Sequence, residues 1–145
     1  MYHKTCRIIA FVLVIAALLS IGAFASYNPP DSPDASAYIS SYSVSIINGG
    51  SGKLKVSFDV TGTGVMTKIG ATCIKIYKSN GNYVGTIWNT DPGRSGMLGS
   101  NKIYHSDVET YTVTPGSYYV KVSIYAKNSS GSDAITVTTG SKTIT

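Results

Sequence analysis

His105, Asp107 and Glu109 stand two residues apart, and in an extended strand that spacing turns all three side chains to one face. Imidazole and carboxylates are ligands for zinc or calcium. Three such positions still span about 14 Å at the strand rise, too far for one ion without a bend or bulge. No metal is therefore expected, and the trio reads as a solvated polar face whose charges protect an edge strand. The same histidine is the one place where catalysis could begin. Beyond residue 25 it is the sole histidine, and no Gly-x-Ser-x-Gly or His-Glu-x-x-His run accompanies it. A hydrolase would need a triad assembled in space around His105. The expectation is a protein that is not an enzyme and needs no cofactor.

Aromatic and basic residues form the second constellation. Residues 118–126 alternate without a break, with Val120, Val122, Ile124 and Ala126 on one face and Tyr119, Lys121, Ser123 and Tyr125 on the other. Ile74-Lys75-Ile76-Tyr77 alternates in the same way. If these two strands pair, Lys75 and Tyr77 share an outer face with Tyr119, Lys121 and Tyr125. Tyrosine faces stack on sugar rings or anchor a protein partner, with lysine stems alongside. Tyrosine and threonine are also simply good cross-strand neighbours on an open sheet.

Residues 89–102 hold Pro92, Gly93, Gly96, Gly99 and Arg94, and read as a long loop with Trp88 at its base. Loops of this length are uncommon and often functional, which makes Trp88 and Arg94 binding candidates. Alternatively, Met97 and Leu98 fold back to plug the end of the domain. Cys73 falls on the outer face if Ile74 and Ile76 point inward and no bulge intervenes. It would then be free to join two copies through an intermolecular disulfide, whereas a bulge near Gly70 would favour a buried thiol.

Strands must hold these side chains. Alternating runs at 38–48, 53–60, 69–78, 83–88, 103–113, 118–126 and 134–144 are separated by turn signals. Asn80-Gly81 is the strongest hairpin signal among them. Seven short strands in residues 38–145 predict an all-β, immunoglobulin-like antiparallel sandwich. His3, Lys4 and Arg7 precede the apolar run 8–19, and Ala23-Phe24-Ala25 supplies small residues for cleavage, so residues 1–25 read as a secretory signal cut after Ala25. An uncleaved anchor is the alternative, and the only membrane association expected. Removing Lys4 and Arg7 takes the net charge from +5 to +3, and the remaining lysines are scattered, so nucleic acid is not an expected partner. Cys6 leaves with the signal, which makes an intrachain disulfide impossible. Residues 26–37, with Pro29, Pro30 and Pro33, read as an extended tether.

The pattern Val120-x-Val122-x-Ile124-x-Ala126-x-Asn128-x-x-Gly131 resembles the sixth strand and following turn of fibronectin type III domains. Tyr118 begins the run two residues earlier than in that family, and Phe58 stands where it carries a tryptophan. The chain also looks like small secreted proteins of Gram-positive bacteria grouped as a family of unknown function. That likeness rests on residues 69–78, Asn80-Gly81, Trp88 and Pro115-Gly116-Ser117-Tyr118. The first resemblance implies a fibronectin type III-like sandwich; the second implies no activity. The function expected is binding of an extracellular glycan, cell-wall polymer or protein through the tyrosine–lysine face or the loop. The alternative is a self-assembling matrix component joined through edge strands or Cys73. When the full sequence is expressed, protein from the culture medium is expected to begin at Ser26. Full-length protein found only with membranes would contradict this.

Overall fold

Apolar residues alternating with serine, threonine and lysine build two antiparallel sheets around one core. A computed structural model describes residues 36–145. The expected signal and all but the last two residues of the tether lie outside the described residues. The strands are β1 (Ile39–Asn48), β2 (Lys53–Met66), β3 (Lys68–Lys78), β4 (Tyr83–Trp88), β5 (Leu98–Gly99), β6 (Lys102–Thr112), β7 (Gly116–Lys127), β8 (Ser132–Thr138) and β9 (Lys142–Ile144). One sheet has the order β1-β2-β6. The other runs β4-β3-β7-β8, with β5 also on β3 and β9 also on β7. Among the described residues the only helical element is a short 3-10 turn, Ser95–Met97. The described chain is all β, as its alternation predicts.

The core is the inward half of each alternating run. Leu54, Val56, Phe58 and Val60 of β2 face Ile74 and Ile76 of β3 and Val120, Val122, Ile124 and Ala126 of β7, all fully buried. Burying each large aliphatic side chain stabilises by about 1.5–3 kcal/mol. The β3–β7 pairing runs from Lys68↔Lys127 to Lys78↔Tyr118, so these two strands form the centre of their sheet.

Three expectations need correction. Thr61-Gly62-Thr63-Gly64 does not end the second strand; β2 continues to Met66 through an irregular register against β6. After Thr67 alone the chain enters β3 in the other sheet, so the passage between sheets is a one-residue bend. The expected strand 134–144 is two strands, because Thr139 interrupts the ladder. Its Oγ1 accepts a hydrogen bond from the Val120 amide at 3.1 Å, while its own amide donates to the Val120 carbonyl at 3.0 Å. The two-residue β5 inside the 89–102 loop was not signalled at all.

Turns follow their residues. Gly50, Ser51 and Gly52 take φ of 74°, 50° and 69°, so the glycine-rich run supplies the left-handed backbone of the β1–β2 connection. Asn80-Gly81 closes the β3–β4 hairpin, where Lys78 donates to the Asn82 carbonyl at 2.8 Å. At the start of β7, Tyr118 is buried and its hydroxyl donates to the Thr114 carbonyl at 2.6 Å, locking the turn through Pro115-Gly116. A tyrosine bonded back across a sheet-to-sheet corner is a recurring device of immunoglobulin-like sandwiches. The start of β1 is clasped to β8: Ser36 Oγ donates to Asp133 Oδ2 at 2.6 Å and the Tyr38 amide donates to the same oxygen at 3.1 Å. These bonds hold the Asp133 carboxyl below its usual range. Tyr118→Phe keeps the ring and removes only the corner bond. It is expected to lower stability in urea unfolding by about 1–1.5 kcal/mol; an unchanged midpoint would show that the corner carries no stability.

Candidate functional site

The outer face of the β4-β3-β7-β8 sheet is a grid set by strand register. Its first row is Tyr83, Tyr77 and Tyr119, one from each of β4, β3 and β7. The second is Thr86, Lys75, Lys121 and Thr138, and the third Trp88, Cys73, Ser123 and Thr136. Tyr125 follows opposite Gly70, and the last row pairs Lys68 with Lys127. The structure thus brings Lys75, Tyr77, Tyr119, Lys121 and Tyr125 onto one face and adds Trp88 to its margin.

The tyrosines are packed on one another. Tyr77 and Tyr119 stack at 5.2 Å between centroids and 10° between planes, while Tyr83 meets Tyr77 edge-on at 5.7 Å. Lys121 Nζ lies 5.6 Å from the centre of the Tyr77 ring. The faces of Tyr77 are therefore occupied by its neighbours, and this row offers ring edges and hydroxyls to solvent. The aromatic residues most open to solvent on this sheet are Tyr83 and Trp88, 61% and 48% exposed, both on the edge strand β4. Tyr83, Lys68 and Lys127 were not singled out from sequence. The hairpin signal at Asn80-Gly81 could have found the first and the period of β7 the last, whereas the period of Lys75 and Tyr77 puts Lys68 on the core face and only the bulge at Thr72 brings it to this one.

The loop and the polar residues of β6 make a separate, structural site. His105, Asp107 and Glu109 pair in register with Val60, Phe58 and Val56, whose side chains are buried. The trio therefore points into the sandwich instead of forming a solvated face, and the outward positions of β6 include Tyr104 and Val108, each about half exposed. Loop residues close over this seam. Arg94 makes an ion pair with Glu109, and its second nitrogen donates to the Thr110 carbonyl at 3.1 Å. His105 Nε2 donates to the Gly96 carbonyl at 2.7 Å, which places its proton on that nitrogen. Met97 is fully buried, so residues 89–102 plug the end of the core and Arg94 is engaged within the fold.

Glycines make the closure possible. A Cβ on Gly70 would collide with the Met97 carbonyl and lie 2.8 Å from the His105 ring; one on Gly99 would lie 2.8 Å from His105 Nδ1, and one on Gly96 3.1 Å from Asp107 Oδ2. On the far side, Gly85 leaves room for the Tyr111 phenol. Among the described residues no cluster of histidine, cysteine and carboxylates is placed to hold a metal ion.

Cys73 is a free thiol, on the outer face but only 5% exposed. The ladder to β7 shifts between Ala71 and Cys73, and this bulge sets Thr72 and Cys73 together opposite Ser123. The thiol donates to Ser123 Oγ at 3.5 Å and stands between Trp88 and Ser123 in register. The exposed cysteine expected in the absence of a bulge is thus replaced by a covered one. A disulfide between two copies would first require that cover to move.

Burial raises the Glu109 carboxyl above its ordinary value; Arg94 pulls it down and Asp107 pushes it up, and burial prevails. The stability linked to Glu109 is thus complete below the ordinary value of 4.5 and falls as pH rises through the raised one. Glu109→Gln is expected to abolish that slope and change neutral-pH stability by less than about 1 kcal/mol. Arg94→Met strands a buried carboxylate and is expected to cost about 2–4 kcal/mol, the range reflecting the partial exposure of the arginine. Urea unfolding of the three proteins across pH 4–8 reads both effects; equal losses for the two variants would contradict them. Compared with protein-family models, curated proteins and solved structures, the chain matches none, so a functional reading rests on the face and the seam themselves.

Proposed function

We propose that the chain is a secreted, non-enzymatic module of immunoglobulin-like, fibronectin type III-like type that binds an extracellular partner through the outer face of β4-β3-β7-β8. A glycan, a cell-wall polymer or a protein would suit that face. One observation carries the reading: five cross-strand rows place tyrosine, lysine and tryptophan together on an open face, and no carboxylate stands in any of them. The pairing of β3 with β7 and the Tyr118 corner support the fibronectin-like assignment. With Arg94 and Met97 engaged in closing the core, the loop leaves recognition to the sheet.

Self-assembly is the second reading, favoured by the β6 edge, where Ile103, Tyr104 and Val108 are each about half exposed. An edge strand with apolar side chains open to solvent is a template for pairing with another copy.

The labelled protein, expressed from its full sequence, is expected to co-sediment with isolated Gram-positive cell walls. Tyr77→Ser/Tyr119→Ser/Tyr125→Ser is expected to reduce binding roughly tenfold, as for loss of an aromatic hot spot, with circular dichroism unchanged. Retention by the triple variant would overturn the role of the face. Concentration-dependent oligomers that Val108→Lys disperses would favour assembly instead.

A further inference from the structure

The lysines of the outer face are arranged at odds with the ordinary rule for sheets. Lys75 lies directly opposite Lys121, and Lys68 directly opposite Lys127. Like charges in that position destabilise a sheet, and natural sheets commonly relieve them with a carboxylate alongside. Here the relief is missing. Of the carboxylates among the described residues, Asp107 and Glu109 point into the seam, Asp133 is clasped by Ser36, and Asp59 accepts from Ser43 on the other sheet. Asp91 is bonded to the Trp88 amide at the end of β4. Lys75 and Lys127 are exposed, Lys68 Nζ donates to Ser100 Oγ at 2.9 Å, and among the described residues no salt bridge engages any of the four lysines.

Resting on the reading of this face as the binding surface, we propose that its ligand is an anionic polysaccharide lying along β3 and β7. Three features specify that chemistry. Two lysine pairs separated by about 20 Å along the strands, six residues at the strand rise, call for repeated negative charge on an extended chain. Ser123 and Tyr125 lie between the two pairs, and just beyond Lys75 and Lys121 the Tyr77 ring, its faces occupied, presents its hydroxyl beside that of Tyr119, which suits hydrogen bonding to anionic groups and sugar hydroxyls. Trp88 and Tyr83, half open at the β4 margin, are the aromatic faces left for sugar rings. Thr136 and Thr138 line the opposite margin with further hydroxyls.

The test compares dextran sulfate, neutral dextran and poly-L-glutamate as probes, using protein expressed from its full sequence and surface-immobilised polymers. Dextran sulfate is expected to bind, and binding is expected to weaken steeply between low and physiological salt, since exposed charges are screened within about 10 Å at 0.1 M. Lys75→Gln/Lys121→Gln is expected to weaken it roughly tenfold or more, as for two charge-assisted contacts. Trp88→Ala is expected to weaken dextran sulfate more than poly-L-glutamate.

Lys53→Gln/Lys55→Gln, on the other sheet, removes the same charge and is expected to leave affinity within about twofold. An equal loss in that control would overturn the proposal in favour of diffuse net charge. Equal binding of neutral dextran, or stronger binding of poly-L-glutamate, would overturn it in favour of an uncharged glycan or an acidic polypeptide. No binding to dextran sulfate would also overturn it. Cell-wall binding that depends on the tyrosines but not on Lys75, Lys121 or salt would sink the polyanion while keeping the face. Cell-wall binding indifferent to both sets would sink the face as well.

Discussion

The interior of this sandwich has to be closed along β6, and that requirement shapes much of the chain. Strand pairing fixes His105, Asp107 and Glu109 on the same side as Val60, Phe58 and Val56, so a polar strip enters a space that is otherwise aliphatic. A buried carboxylate without a partner is expensive, and one with a partner is still no bargain against an apolar residue. Arg94 meets Glu109, the Gly96 carbonyl meets His105, and Met97 fills the remaining gap. The glycines at 70, 96 and 99 allow the backbone to come close enough for this. What resembles a flexible recognition loop is therefore a fitted cover.

The cover itself adds β5 to the edge of β3, and the outward side chains of that sheet form an ordered surface. β3 and β7 are flanked on both edges, and their inward residues are fully buried, so the outward residues hold their register. Tyr77 stacked on Tyr119, with Lys121 beside it, is rigid in the sense that each ring is held by another. Preorganised side chains lose little freedom on binding, which favours recognition by a surface without a pocket. A cleft between the β3–β4 turn and Pro115–Tyr118 has a volume of about 160 Å³ and gathers no ionisable pair.

Much of the fold was legible because the two-residue period of β2, β3 and β7 is nearly perfect and their turns carry glycine or asparagine. The pairing of β3 with β7 is what the fibronectin type III resemblance implies, and given that pairing the period places Lys75, Tyr77, Tyr119, Lys121 and Tyr125 on one face. The inward turn of β6 was hidden, since His-x-Asp-x-Glu alternating with Tyr104, Ser106 and Val108 reads naturally as polar outside and apolar inside. Only tertiary partners reverse it: Arg94, eleven residues before His105, and the glycines whose missing side chains are visible as space and not as chemistry. The bulge at Thr72 was equally local and unsigned, and Cys73 beside it keeps its outward position yet is covered, standing in register between Trp88 and Ser123. Sequence periodicity reports faces well; it does not report which face an unusual loop will cover.

The most direct measurement is a map of backbone amide chemical shifts as dextran sulfate is added to the isotope-labelled protein. Perturbations centred on Lys75, Tyr77, Tyr119, Lys121 and Lys127, with β6 and residues 89–102 unmoved, are the expected result. Shifts centred on β6, on the loop, or spread evenly over every exposed lysine would contradict the assignment of the binding face.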